Sequence, residues 1–159
     1  MRMGLAASVA VAGLALAAAA EAQTRKPPYY ASISAGKARM RTGPGRNYPA
    51  SWLYVRAGLP IKVVAVYKEW RKIEDPDGAQ GWMQANLLTE KRSAMVTGGV
   101  VALRDQPNAV ARVAWRAAPG VVGRVSKCSR GWCWLDVYGR AGYVEQSRLG
   151  GVTPGEEVE

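Results

Sequence analysis

ARMRTGPGRNYP, residues 38–49, joins a short strand pattern to a loop rich in glycine and proline. Polar and apolar side chains alternate over residues 37–41, as they do along a half-buried β-strand. Thr42, Gly43, Pro44 and Gly45 end that strand, and residues 46–51 continue as a loop that carries Tyr48. This stretch therefore predicts a strand that leads into an irregular loop.

The same landmarks return in the second half of the chain. The offset is 63 residues from Met40 to Leu103, and it falls to 61 residues from Leu88 to Leu149. A period of about sixty residues is too long for a solenoid unit and suits a minimal self-contained fold. The sequence therefore predicts two small domains of one design. The matching positions are Met40-Arg41 with Leu103-Arg104, Pro44 with Pro107, Trp70 with Trp132, Ile73 with Leu135, Gly81-Trp82 with Gly142-Tyr143, and Leu88 with Leu149.

Each copy reads as a series of short strands. In the first, residues 61–67 are a β-branched run, residues 70–74 alternate, residues 75–78 form a turn, and residues 85–88 form one helical turn. Short strands without a long helix predict an all-β chain of two small tandem β-barrels. The expected divisions are a signal peptide at 1–22, an extended leader at 23–34, a first domain at 35–90, a linker at 91–99, a second domain at 100–151 and an acidic tail at 152–159. The tail is expected to be frayed, unless Val152 packs against the second barrel.

The N-terminus is typical of an exported protein. Arg2 precedes an apolar, alanine-rich stretch, and Ala20-Glu21-Ala22 places small residues at a cleavage site, so Gln23 is the expected mature start. A retained membrane anchor is the alternative, but the stretch is short for a spanning helix. We expect a periplasmic or secreted protein with no stable membrane span after cleavage.

Charge and the lack of histidine limit the functions open to this chain. The net charge is +10 and there is no histidine. An exported basic protein meets cell-wall polymers, lipid headgroups or acidic proteins rather than nucleic acid, although excess charge also serves solubility alone. Cysteine hydrolases, most zinc hydrolases and the usual serine triad need histidine, and a two-carboxylate glycosidase needs a deep cleft. We therefore expect no enzyme activity, no cofactor and no metal.

Several motifs resemble the bacterial SH3 domain family. Residues 38–49 are similar to its opening strand and loop, and residues 69–73 and 81–83 are similar to its two Gly-Trp strands. The second copy is similar at residues 103–104, 131–135 and 142–144, but has Asp105-Gln106-Pro107 in its first loop, where the family prefers Ser or Thr followed by Gly. The resemblance implies a small β-barrel that binds a ligand, often peptidoglycan or its peptides. It also places Cys128 and Cys133 in an exported subgroup with tandem copies.

Cys128 and Cys133 are the only cysteines, and four residues separate them. At the two ends of a hairpin turn their α-carbons would approach closely enough for a disulfide, which an oxidising compartment would preserve. A reactive thiol pair and a metal site are the alternatives, and both lack the usual spacing or further ligands. We expect a disulfide.

The aromatic residues are tryptophan and tyrosine only, which suits a wet binding surface but also a barrel core. Alternation assigns Ile73, Leu135, Trp82, Tyr143 and one of Trp132 and Trp134 to the core. For Arg41 and Arg104, an ion pair with a carboxylate on the barrel surface is an equal alternative to ligand contact. The full set of candidates for ligand binding lies in loops or opposite core positions, with arginines close by: Arg41, Arg46, Tyr48, Tyr67, Trp70, Arg71 and Tyr138.

The sequence thus predicts a non-enzymatic exported binding protein. Its expected partner is cell-envelope material such as peptidoglycan, which arginine beside an aromatic ring would hold through a carboxylate. The alternative is a periplasmic adaptor that docks an acidic or proline-rich protein. We expect ligand contact in the first copy and a stapled, mainly structural or partner-facing role for the second.

Overall fold

The computed structural model describes residues 25–159. The predicted signal peptide, residues 1–22, and the predicted mature start at Gln23 lie outside the described residues. Within residues 25–159 no helix has the length and apolar character needed to cross a bilayer. The strands form two seven-stranded antiparallel sheets, one for each sequence copy, and each sheet curls around its own core as a small β-barrel.

Both barrels have the same topology. The strand order is β3-β2-β6-β5-β4-β1-β7 in the first and β10-β9-β13-β12-β11-β8-β14 in the second, so each strand has its counterpart seven strands later. Single 3₁₀ turns, Ala85–Leu87 and Gln146–Arg148, precede the last strand of each barrel. The strands are β1 (Tyr29–Ile33), β2 (Ala38–Arg41), β3 (Ala50–Tyr54), β4 (Pro60–Tyr67), β5 (Trp70–Glu74), β6 (Gln80–Gln84), β7 (Leu88–Thr89), β8 (Ser93–Val96), β9 (Val101–Arg104), β10 (Val113–Ala117), β11 (Val122–Ser129), β12 (Trp132–Val137), β13 (Arg140–Glu145) and β14 (Leu149–Gly150).

The first strand of each barrel lies in a segment that we expected to be outside the domains. β1 falls in the expected leader, residues 23–34, and pairs with β4 and β7. β8 falls in the expected linker, residues 91–99, and pairs with β11 and β14. Ile33 and Val96 are fully buried in the two cores. Both segments are therefore structural parts of the barrels, and only residues 90–92 connect β7 to β8.

Two glycines set which face of β6 and β13 points inward. A β-carbon on Gly81 would lie 2.8 Å from the carbonyl oxygen of Arg41, and one on Gly142 would lie 2.8 Å from the carbonyl carbon of Leu103. Gly81 and Gly142 are buried because β6 and β13 pass directly over β2 and β9 there. The next residues, Trp82 and Tyr143, consequently point to the outer face and are half-buried, which corrects their expected place in the core. Ile73 and Leu135 are core residues with 0% exposure, as predicted.

The predicted disulfide is confirmed. Cys128 and Cys133 are bonded and lie opposite each other in the register of β11 and β12. The hairpin turns at Arg130 and Gly131, which both have positive φ, as a two-residue turn of this kind requires. Both cysteines are buried in the second core. The bridge therefore joins two strands at one end of the second barrel.

The C-terminal segment is attached to the second barrel rather than frayed. Val152 is buried in the core, and Val158 forms a β-bridge with Cys128. The side-chain amide of Gln146 donates to the carbonyl oxygen of Glu156 at 2.9 Å. The Glu156 carboxylate in turn pairs with the Arg92 guanidinium at 2.7 Å. These contacts hold the tail against the start of β8.

The Glu156 carboxylate has an altered pKa. Partial burial alone would raise the pKa of Glu156, but hydrogen bonds from Arg92 and from the Thr153 backbone, with the charge of Arg92, lower it below its ordinary value. The folded protein therefore binds this proton less readily than the unfolded chain does. The resulting stabilisation is complete above the pKa of the unfolded chain and disappears as the pH falls through the folded-state pKa.

Glu156→Gln is expected to lower the free energy of unfolding at pH 7 by about 1–2 kcal/mol, because the nearly buried Arg92 loses its charged partner. The difference from the wild type should shrink as the pH falls from 7 to about 2, through the lowered pKa of Glu156 in the folded state. Urea denaturation at the two pH values measures this. Glu90→Gln is the matched control, since Glu90 is exposed and forms no ion pair among the described residues. An equal loss at both pH values would contradict the assignment.

Candidate functional site

A groove of about 360 Å³ crosses the outer surface of the first barrel. Its basic side comes from β2 and the residue before it, and its apolar parts come from β3, from the start of β5 and from the 3₁₀ turn. We call it groove 1. Its lining residues are Lys37, Arg39, Arg41, Leu53, Trp70, Gln84 and Leu87.

The second barrel has a groove of about 240 Å³ at the equivalent place, which we call groove 2. Each residue of groove 1 has its counterpart, 61 to 63 positions later, in the lining of groove 2. Leu53 corresponds to Arg116, Gln84 to Glu145, and Leu87 to Arg148. The lining of groove 2 consists of Val100, Val101, Ala102, Arg104, Arg116, Trp132, Val144, Glu145 and Arg148.

Both grooves are basic, but they distribute the charge differently. In groove 1 the cations Lys37, Arg39 and Arg41 follow each other at every second position, on the outer face of β2, because Ala38 and Met40 point into the core. Groove 1 contains no acidic side chain. Groove 2 takes its three arginines from three separate elements and adds one carboxylate, that of Glu145. None of the six cations forms an ion pair within residues 25–159.

Trp70 forms the inner wall of groove 1 rather than an exposed platform. It is only 4% exposed, so most of the indole is packed into the barrel and only an edge reaches the groove. The turn before it places Tyr67 opposite Trp70, with Lys68 at positive φ. Arg71 donates to the carbonyl oxygens of Lys68 and Trp70 at 2.8 and 3.1 Å. Arg71 therefore braces this turn.

Arg41 and Arg104 have the same structural role in the two barrels. Arg41 donates to the carbonyl oxygen of Tyr48 at 2.8 Å, and Arg104 donates to that of Ala111 at 2.6 Å. Neither pairs with a carboxylate of the described residues, so the expected surface ion pair is not the arrangement found. Each arginine closes the loop after β2 or β9 and still lines its groove.

The loop after β2 presents two of the predicted residues. The Tyr48 ring covers Gly43, where any β-carbon would collide with the ring, and it remains 42% exposed. Arg46 is exposed at the tip of the same loop. The loop of the second barrel has the same backbone hydrogen bonds despite its different sequence, with Asn108 N–H donating to Gln106 as Gly45 N–H does to Gly43. The two loops therefore differ in side chains and not in backbone shape.

The structure divides the predicted binding residues among separate places. Arg41 and Trp70 line groove 1, and Arg46 and Tyr48 lie on the loop that Arg41 closes. Tyr67 is half-exposed at the β4–β5 turn, with the Lys68 ammonium 5.6 Å from its ring centre. Tyr138 is fully exposed at the β12–β13 turn, away from both grooves.

A third depression, of about 450 Å³, lies on the outer face of the second barrel. Trp132 and Tyr143 line it together with Pro107 and the polar residues Lys127, Ser129 and Arg130. Trp134 packs edge-on against Tyr143 beside it, with ring centres 5.0 Å apart. These outward aromatic rings make the second barrel richer in aromatic surface than its expected structural role suggested.

Lys37, Arg39 and Leu53 line groove 1 but were not predicted as binding residues. The alternation over residues 37–41 carried a signal for the first two, since every second position of a strand shares a face. Two equivalent exposed tryptophans were also not predicted as surface residues: Trp52 on β3 is 59% exposed and Trp115 on β10 is 46% exposed. Their offset of 63 residues is the repeat offset itself.

Comparison with known proteins supports the tandem design. A family model described as "Bacterial SH3 domain" matches the chain twice, at residues 34–90 and 97–151. The matches begin directly after β1 and β8 and cover the other strands of the two barrels. They confirm the resemblance and the fold class predicted from the motifs. No curated protein matches the chain.

Two solved structures match the chain at low sequence identity and low TM-score. "Structure of NlpC1 from Trichomonas vaginalis" is 8% identical with a TM-score of 0.35, and the alignment covers 79% of this chain and 46% of that one. "Structure of NlpC2 from Trichomonas vaginalis" is 8% identical with a TM-score of 0.36, covering 80% and 49%. This chain thus spans about half the length of either protein.

Proposed function

Because the chain belongs to the bacterial SH3 domain family, we propose that it is a non-enzymatic protein that binds an anionic cell-envelope polymer, peptidoglycan or its peptides, in grooves 1 and 2. The observation that carries this proposal is the recurrence of one groove in both barrels, with three cations in each that have no acidic partner among the described residues. A ligand that repeats along a polymer offers the same group to both grooves.

The chemistry of groove 1 suits a carboxylate attached to an apolar group. Arg39 and Lys37 are exposed and make no hydrogen bond to the protein within residues 25–159, so their donors are free for a ligand. A guanidinium binds a carboxylate through two parallel hydrogen bonds. Leu53 and the edge of Trp70 supply apolar surface beside these cations. Groove 2 has Glu145 in addition, which favours a ligand that also carries an amino group.

The proposed compartment is the cell envelope or its exterior. The signal-like residues 1–22 favour export, and a disulfide persists in an oxidising environment. The net charge of +10 favours association with acidic wall material, and such association weakens as salt screens it.

The side chains of the grooves favour binding over catalysis. The polar side chains of groove 1 are lysine, arginine and glutamine, none of which acts as a general base in its ordinary protonation state at neutral pH. The sequence has no histidine to provide one, and groove 2 contains a single carboxylate, that of Glu145, without the second that a two-carboxylate mechanism needs. We therefore include the absence of catalysis in the proposal.

The aromatic depression on the second barrel favours a second candidate, a periplasmic adaptor for an acidic or proline-rich protein. Grooves lined by aromatic rings accept proline-rich segments, because proline pre-forms their extended conformation. Trp132 and Tyr143 provide such a surface, with Lys127 and Arg130 at its rim.

Retention on purified, protease-treated sacculi at low salt tests the wall-binding proposal. Arg39→Glu combined with Arg116→Glu places one reversed charge in each groove, and we expect at least about ten-fold weaker retention. The matched control is Lys26→Glu with Lys68→Glu, which changes the net charge equally at exposed positions outside both grooves. If both variants lost retention equally, net charge alone would explain the binding and the groove proposal would be wrong. If retention required sacculi that had not been treated with protease, the adaptor role would be favoured instead.

A further inference from the structure

The two barrels meet through specific contacts that leave a cavity between them. Ser32 of β1 and Ser93 of β8 are buried, and their hydroxyl oxygens lie 2.6 Å apart. Ser32 also donates to the carbonyl oxygen of Lys91 at 2.7 Å. Farther along the interface, Arg56 of the first barrel donates to the carbonyl oxygen of Gly120 in the second at 3.1 Å. The cavity walls are therefore set by hydrogen bonds from both barrels.

This cavity, which we call the seam pocket, has a volume of about 400 Å³. Its apolar lining comes from both barrels, with Ala57 from the first and Val122 from the second. Its volume lies towards the lower end of the range for small organic ligands, about 300–1,000 Å³. No residue of the seam pocket belongs to either groove.

The polar lining of the seam pocket is predominantly cationic. Arg56, Lys91, Arg92 and Arg124 line it with a single carboxylate, that of Asp136. Glu156 neutralises Arg92 at 2.7 Å, whereas Arg124 approaches Asp136 only to 3.9 Å. Arg56 and Lys91 form no ion pair within residues 25–159. Two positive charges thus lie uncompensated beside an apolar cavity.

We propose that the seam pocket is a second binding site, which takes the free C-terminal carboxylate of a short peptide ending in small aliphatic residues. The two unpaired cations supply the charge for the carboxylate, and the guanidinium of Arg56 has donors beyond the one used for Gly120. The apolar lining accommodates the terminal side chains and would leave a fully hydrated inorganic anion without matching contacts. Tyr138, exposed on the rim, is placed to cover the peptide.

Titration of the full protein with N-acetyl-alanyl-alanine, followed by amide chemical shifts, tests this site. We expect saturable shifts at Gly58, Ser93 and Gly123, and at least about ten-fold weaker binding of the same peptide as its C-terminal amide. Inorganic phosphate is the third probe, and it should shift these signals more weakly than the acid does.

Arg56→Gln combined with Lys91→Gln should weaken binding of the acid by at least about ten-fold. Both side chains are exposed, so the fold is expected to persist, and the spectrum of the free variant verifies this. Lys26→Gln with Lys68→Gln is the matched control and should bind like the wild type. Equal binding of acid and amide, phosphate binding as tight as the acid, or no shifts in the pocket would each overturn the proposal. These variants leave both grooves unchanged. The sacculus experiment therefore tests the proposed function, the peptide titration tests the seam pocket, and either proposal can fail without the other.

Discussion

Replacing Gly142 with alanine is expected to lower the free energy of unfolding of the second barrel by about 2–3 kcal/mol. The new β-carbon would lie 2.8 Å from the carbonyl carbon of Leu103 and 2.9 Å from the backbone nitrogen of Arg104. Both are backbone atoms of β9, so no side-chain rotation relieves the contact, and β13 must move away from β9. Urea denaturation followed by circular dichroism measures the loss.

Gly36→Ala is the control for this substitution. A β-carbon at Gly36 meets no heavy atom within 4 Å, and Gly36 is not among the glycines with positive φ. We expect a change within about 0.5 kcal/mol, as for most surface substitutions. If Gly142→Ala changed the free energy of unfolding as little as Gly36→Ala, β13 could not pass as close to β9 as described.

Trp70→Ala is expected to cost about 3–5 kcal/mol, the usual range for a buried tryptophan. Trp70 is 4% exposed at the start of β5, and its loss leaves a cavity behind groove 1. Guanidinium denaturation measures the stability of the variant. At protein concentrations and temperatures where the variant remains folded, groove 1 would also lose its inner wall, so retention on sacculi should fall as well.

Trp52→Ala provides the matched comparison, because it removes the same side chain from an edge strand where 59% of it is exposed. We expect a cost of about 1–2 kcal/mol, since less than half of the apolar area of this side chain leaves water on folding. Equal costs for the two tryptophans would contradict the assignment of Trp70 to the interior.

The repeat offset was the feature that predicted most of the fold. Matching landmarks at a nearly constant spacing fixed the number of barrels and placed most of their strands, because each landmark marks a turn or a core position. The strands β1 and β8 escaped prediction as domain parts. Each is short, and each becomes a strand by pairing on both sides with segments distant in sequence. The local alternation of polar and apolar residues contains no information about such distant pairing.

The orientation of Trp82 and Tyr143 shows why a hydrophobicity pattern alone is not sufficient. A large aromatic residue beside glycine suggests that the aromatic side chain fills the core. In these barrels the glycine faces inward, because the neighbouring strand passes too close for any side chain. The constraint comes from backbone proximity in the folded state, which a hydrophobic scale does not contain.

The candidate site was predicted in part. Arg41 and Trp70 were singled out and both line groove 1, but the partners that complete the groove come from β3, β6 and the 3₁₀ turn. Those residues converge only when the sheet curls. The seam pocket was beyond prediction for the same reason, since it depends on how the two barrels pack against each other.

The short connection between β7 and β8 affects how the protein would bind the polymer proposed as its ligand. Only residues 90–92 join β7 to β8, and Ser32 and Ser93 are in hydrogen-bond contact across the barrels, so the range of distances open to grooves 1 and 2 is restricted. When one groove holds a repeating polymer whose period falls within that range, the second groove meets its next unit at a high effective concentration. Such avidity raises affinity by about 10²–10⁴ without any new contact. A fragment too short to span both grooves gains nothing, so under the proposed function the tandem would favour polymers over short fragments.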